Sequence, residues 1–129
     1  MEHKKGWNPF MEENGIEIVS ESTERTVLRV VPQKMHKNPY NMIHGGLLFT
    51  MIDCAAGITA RADGNIYVTQ NAYVNFLTNT DQEEEILAET DVIRRGATIV
   101  AVHVVVRTAA GKQLADAVVD MFRIPGEQK

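Results

Sequence analysis

Between Gly45 and Ala60 the chain carries one charged side chain, Asp53, in the run His44-Gly45-Gly46-Leu47-Leu48-Phe49-Thr50-Met51-Ile52-Asp53-Cys54-Ala55-Ala56-Gly57-Ile58-Thr59-Ala60. A helix apolar on nearly every face is a buried helix, and an unpaired carboxylate inside one is costly. A site that uses the carboxylate, as general base or as nucleophile, offsets the cost. The alternative is a structural aspartate reaching a helix-end or loop donor at a subunit interface. Gly45 and Gly46 open the same run. Two glycines can serve close packing against a strand. They can equally leave free N–H groups and a positive dipole end open to a developing oxyanion. Together with Asp53 they make a coherent acyl-transfer site.

His44 and Asp53 are nine residues apart. On an ideal helix that is roughly 13.5 Å of rise and about 900° of turn, so the two side chains point to opposite sides. They cannot meet within one copy. If both serve one reaction, two copies of the helix must lie antiparallel, with His44 of one chain facing Asp53 of the other. The spacing argues for a two-fold dimer with two composite sites. His3, His36 and His103 show no metal-ligand spacing with His44, which argues against a zinc site. Asn38, next to Pro39, reads as a turn residue or as a polar contact to substrate.

The elements that must position these groups follow from local signals. Asn8 to Gly15 begins with a capping residue and Pro and ends in Gly, one short helix. Ile16–Ser20 and Thr26–Val31 read as strands, Gln33–Ile43 as a loop turning at Asn38-Pro39-Tyr40-Asn41, and the neutral helix runs to about Arg61–Asn65. Four strand-like runs follow, Tyr67–Leu77, Ile86–Arg94, Thr98–Thr108 and Gln113–Ile124. Short turns at Arg95-Gly96-Ala97 and Ala109-Ala110-Gly111-Lys112 predict antiparallel hairpins. Ile99–Val106 reads as a strand buried on both faces. Long antiparallel strands around one apolar helix predict an α+β fold in a single domain, residues 1–129.

A net charge of −4 with scattered basic residues gives no footprint for nucleic acid. Cys54 is the only cysteine, which excludes an intrachain disulfide and fits a reducing compartment. Met1 to Trp7 lacks a signal-peptide core, and the neutral run is too short and too polar to span a membrane. These features predict a cytoplasmic protein with no membrane or nucleic-acid partner.

Asn38-Pro39-Tyr40-Asn41-Met42-Ile43-His44-Gly45-Gly46, with Asp53 seven residues on, resembles the hotdog-fold acyl-CoA thioesterases of the phenylacetate-pathway (PaaI-like) type. Val68-Thr69, Asn75-Phe76-Leu77, Val92 to Gly96 and Gly111 to Ala115 also fall where that family has its strands and turns. The resemblance runs from about Asn8 to Ile124. It implies five to six curved antiparallel strands wrapped around one central helix. It also implies hydrolysis of an acyl-CoA thioester to a carboxylic acid and CoA, with no cofactor beyond the CoA of the substrate. Asp53 would be the catalytic carboxylate and the Gly45 N–H would polarise the thioester carbonyl. Asn38 and His44 would position water or substrate, and Thr69 would orient water from the subunit that supplies Asp53. Arg94, Arg95, Gly96, Ala97 and Thr98 lie where the family meets the nucleotide end of CoA, with Phe76 as a further substrate contact. The assembly implied is a homodimer at minimum, and a homotetramer. Asn41 stands where relatives carry Gly, a position asking for positive φ that Asn tolerates. Rival readings are an enoyl or 3-hydroxyacyl thioester hydratase-dehydratase on the same fold, and a non-catalytic acyl-CoA-binding module.

Overall fold

The computed structural model describes residues 8–126; Met1 to Trp7, read above for targeting, lie outside them, as do residues 127–129 of the predicted domain. In chain order the elements are α1 (Pro9–Glu13), β1 (Glu17–Ser20), β2 (Val27–Val30), a 3-10 turn (Lys34–His36), α2 (Gly45–Arg61), β3 (Ile66–Phe76), β4 (Ile86–Arg95), β5 (Ile99–Thr108) and β6 (Gln113–Ile124). The Asn8 side chain accepts the Met11 N–H and Pro9 occupies the first turn, so α1 starts where its sequence signals place it.

The strands form one antiparallel sheet in the order β1-β2-β4-β5-β6-β3. Both expected hairpins are present, β4–β5 and β5–β6. Helix α2 lies across one face, packed on β3, β4, β5 and β6. Leu47, Leu48, Met51, Ile52, Ala55, Ala56 and Ile58 on the helix are buried with Val100, Val102, Val104 and Val106 on β5 and Leu114, Ala117, Val119 and Met121 on β6. At about 1.5–3 kcal/mol for each large aliphatic side chain, this helix–sheet contact is the main favourable term holding α2 in place.

Strand β5 corrects one expectation. Its valines at even positions are fully buried, but Ala101, His103, Val105 and Arg107 between them are half-buried. The strand therefore has one core face, because a single helix covers only one side of the sheet. The far side carries polar pairs instead: the ion pairs of Arg25 and Arg107 with Glu89 and of Arg29 with Glu17 and Glu85, and a hydrogen bond between His103 and Asp116. Exposed pairs of this kind contribute little stability, about 0–1 kcal/mol each.

A bulge shapes β3. Thr69 pairs with Met121 and Asn71 with Asp120, leaving Gln70 unopposed. An extra residue shifts the inward parity of everything after it. Before the bulge Tyr67 and Thr69 face the helix; after it Ala72, Val74 and Phe76 do. β3 is also a sheet edge eleven residues long, with Val68, Tyr73 and Phe76 exposed along it. Such an edge is a template for pairing with another strand.

Candidate active site

Not every face of α2 is covered. Gly46, Phe49, Thr50 and Asp53 recur at helical spacing and remain partly or fully exposed, a stripe the sheet leaves partly open. Asp53 is therefore not the sealed, unpaired carboxylate that the composition of the helix suggests. It sits half-buried at the edge of the core, and Oδ1 accepts a 2.5 Å hydrogen bond from Thr69 Oγ1. The inward turn of Thr69 just before the bulge makes that contact possible. Thr69 and Asp53 thus belong to one chain.

The N-terminus of α2 is held by a different set. His44 is the N-cap, and its Nδ1 accepts the Gly46 N–H at 2.8 Å. An accepting Nδ1 requires the proton on Nε2 in the neutral ring. A Cβ on Gly46 would stand 2.9 Å from that Nδ1, so the glycine is what lets the imidazole cap the helix. A Cβ on Gly45 would meet only the Phe76 ring, at an ordinary 3.6 Å. Packing does not demand glycine there. The Gly45 N–H has no hydrogen-bond partner among the described residues, which leaves the first donor of the helix open.

Asn38 shapes the loop before the helix. Its Oδ1 accepts the Tyr40 and Met42 N–H groups, its own N–H donates to the Met42 carbonyl, and Asn41 takes φ 62° as Asn tolerates. The turn occupies its carbonyl oxygen and leaves Nδ2 as the atom that can point elsewhere. His36 anchors the same loop, its carbonyl accepting the His44 N–H at 2.8 Å and its Nδ1 accepting the Gln33 N–H. Burial lowers the pKa of His36, a residue 4% exposed. The unfolded chain therefore binds the proton more readily, and stability is full above about pH 6.5 and lost as pH falls below it. The melting temperature should drop between about pH 7 and pH 5, and a His36→Gln variant should drop less. Equal slopes would show that another group controls the acid limb.

The predicted CoA-contact turn lies at the other end of α2, and there Arg95 is engaged within the chain. Its Nη1 donates to the Ala60 carbonyl and to Asp63, and its Nη2 to the Thr23 and Thr59 carbonyls, all within 3.0 Å. Arg95 caps the C-terminal carbonyls of the helix, where a cation also suits the dipole. Four of its five N–H groups are committed to these partners. Hydrogen bonds from Tyr67 and Asn65 and the charge of Arg95 outweigh burial and hold Asp63 below its ordinary pKa. Arg94, Ala97 and Thr98 are exposed, and Gly96 turns the chain with its N–H on the Ile99 carbonyl. Arg94 remains the cation of that turn facing solvent.

Within one chain the predicted residues thus fall into three groups along α2. Asn38, His44, Gly45 and Phe76 gather at its start, Asp53 and Thr69 at its middle, and the 94–98 turn near its end. The helix of 17 residues separates the ends by roughly 25 Å. Cys54, beside Asp53, is buried and its thiol pKa is pushed up by burial and by the Asp53 charge, so it is a poor nucleophile. Among the described residues no group of His, Cys, Asp and Glu is arranged to hold a metal, and no helix is long and apolar enough to cross a membrane. One residue at the helix start escaped the sequence reading: Asn79, whose side chain binds the backbone of Ile43. Its only local signal is an Asn-Thr-Asp turn after a strand.

Residues 40–115 match the model of the thioesterase superfamily. A protein of Archaeoglobus fulgidus named "Putative esterase" is 23% identical over 75% of this chain, a match that spans 63% of that protein's length. The structure of the Escherichia coli PaaI protein from the phenylacetic acid degradation operon superposes with a TM-score of 0.88 at 21% identity, over 93% of this chain and 87% of that one. A Streptococcus pneumoniae protein named "Hypothetical Thioesterase Protein", solved with coenzyme A, gives a TM-score of 0.81 at 23% identity, over 88% of each chain. That protein has also been solved with an aspartate and a threonine, sixteen positions apart, individually replaced by alanine. These likenesses identify the architecture as the hotdog fold.

Proposed function

We propose, on the premise that this chain belongs to the thioesterase superfamily, that it hydrolyses an acyl-CoA thioester to a carboxylic acid and free CoA. The observation that carries the reading is Asp53 on the open stripe of α2, held by Thr69 from the bulged strand. The Asp53–Thr69 pair is sixteen residues apart, the same interval as the two residues replaced in the pneumococcal protein. The unpartnered Gly45 N–H supplies the second half of the chemistry.

Asp53 either takes a proton from water as the water oxygen bonds to the carbonyl carbon, or attacks that carbon to form a mixed anhydride that water then opens. In both routes the C–S bond breaks and CoA leaves as a thiolate. Negative charge grows on the carbonyl oxygen, and an N–H at a helix start is pre-aimed to accept it. A thioester is already activated, so the reaction asks for no metal or cofactor.

Each site takes Asp53 and Thr69 from one chain and Gly45, His44 and Asn38 from a second. Antiparallel placement of two α2 stripes brings the middle of one helix to the start of the other, and pairing of two β3 edges places them so. Phe76, against Gly45, then flanks the acyl group, and Arg94 with the Gly96–Thr98 backbone faces the CoA phosphates. The assembly is a dimer at minimum, extended to a tetramer, working in the cytoplasm.

The test is a panel of aryl-, short-, medium- and long-chain acyl-CoAs assayed for free thiol, with enoyl- and 3-hydroxyacyl-CoA followed in parallel for hydration. Thiol release from at least one acyl class is expected. Conversion of an enoyl thioester without thiol would overturn the proposal in favour of a hydratase.

A further inference from the structure

We infer that Asn79 is a positioning residue for the oxyanion donor, an inference that rests on the thioesterase reading above. Asn79 follows β3 and lies thirty-six residues from the loop it holds. Its Oδ1 accepts the Ile43 N–H at 3.0 Å and its Nδ2 donates to the Ile43 carbonyl at 3.0 Å. One side chain thus satisfies both backbone groups of a residue, as a neighbouring strand would. Oδ1 also accepts the Thr80 N–H, and Lys112 Nζ donates to the Asn79 carbonyl, so the clamp is itself held.

The clamp matters because of where Ile43 stands. The peptide unit joining Ile43 to His44 is pinned at both ends, its carbonyl by Asn79 Nδ2 and its N–H by the His36 carbonyl. The next peptide unit carries the Gly45 N–H. Only the φ and ψ of His44 lie between the two planes. Those torsions are restrained by the His44 carbonyl, which accepts the Leu47 N–H, and by the His44 ring on the Gly46 N–H. The direction of the Gly45 N–H is therefore inherited from a plane that Asn79 fixes. An oxyanion donor loses its advantage when its direction is averaged, since preorganisation is what it contributes. Ile43 is 1% exposed and its carbonyl would have to find another partner if the amide were removed.

Two substitutions separate positioning from folding. Asn79→Asp keeps an oxygen for the Ile43 and Thr80 N–H groups but cannot donate to the Ile43 carbonyl, whereas Asn79→Ala loses both contacts. With the best thioester from the panel, both variants should show kcat lowered about ten-fold or more with KM within about two-fold, the pattern of an interaction made in the transition state. Affinity for CoA itself should hold in both, since CoA carries no thioester carbonyl for the Gly45 N–H to meet. The Gly45 amide resonance in an NMR spectrum should shift in both, a readout that needs no turnover. If wild type releases thiol and folded Asn79→Asp keeps its kcat within about two-fold, the inference is wrong. An unmoved Gly45 resonance overturns it as well. If wild type hydrolyses no thioester, the thioesterase reading fails, and the resonance still decides whether Asn79 orients the Gly45 peptide.

Discussion

Asp53→Asn is expected to lower kcat for thioester hydrolysis by about 10²–10⁴-fold, the usual span for losing a general base. That is about 3–5 kcal/mol of transition-state stabilisation. The substitution is close to isosteric, and the amide oxygen can still accept the Thr69 hydroxyl that Asp53 Oδ1 accepts now. Helix α2 keeps its buried face, because residue 53 lies on the open stripe. What disappears is the charge that would take a proton from water or attack the carbonyl. Equilibrium binding of CoA should therefore change by less than about three-fold, since uniform binding and transition-state binding are separable. Measuring kcat and the CoA Kd on the same preparation checks both halves. Equally slow hydrolysis by wild type and variant would point to a module that binds acyl-CoA without turning it over.

The second large effect is expected from Gly45→Pro. Proline has no N–H, so the substitution deletes the proposed oxyanion donor itself. Residue 45 is the first residue of α2, the position where Pro fits a helix best. His44 before it is already extended, at φ −68° and ψ 132°, as a residue preceding proline must be. The added Cβ meets only the Phe76 ring, at an ordinary distance. The fold should survive with its melting temperature little changed. Loss of one oxyanion-hole donor lowers kcat by about 10²–10³-fold. Activity within a few-fold of wild type in folded Gly45→Pro would assign the oxyanion to another donor. Asp53→Asn removes charge and Gly45→Pro removes a dipole, so neither effect can stand in for the other.

Much of this arrangement is legible in the sequence because it depends on local signals. Helix α2 follows from a neutral run bounded by His44-Gly45-Gly46 and a polar end, and β6 carries the bounds expected from Gln113 and Ile124. The hairpins follow from Gly96 and Gly111 in short turns. What is not legible depends on parity and on distant partners. Strict alternation cannot put both Thr69 and Phe76 on the helix side; the unopposed Gln70 does, and a bulge leaves no mark in a run of strand-forming residues. Arg95 sits in a basic turn that suits phosphates, yet its guanidinium finds carbonyls at the end of α2 that local pattern does not place beside it.

The same limit explains Asp53, Asn38 and Asn79. Composition shows that α2 is apolar, but not which stripe the sheet leaves open, and Asp53 lies on that stripe. Asn38 carries both the turn role and the contact role in its residue type, and the structure commits its oxygen to the turn. Asn79 contacts a residue far back in sequence, and its importance depends on the adjacency of Ile43 to the helix start. The nine-position spacing of His44 and Asp53, by contrast, is a statement about helix geometry alone. The hydrogen-bond partners agree with it: each of the two is satisfied by a neighbour other than the other.

That division of labour between two chains is the central claim, and mixing the two inactive variants tests it. Asp53→Asn and Gly45→Pro, each nearly dead alone, are unfolded together in equal amounts and refolded so that subunits redistribute. Random pairing makes half the dimers mixed, and in each of these one site receives Asp53 from one chain and Gly45 from the other, both intact. Activity should return to about a quarter of the wild-type value for the same total protein. If each site were built within a single chain, every site in the mixture would carry one defect, and the mixture would stay as inactive as its parts.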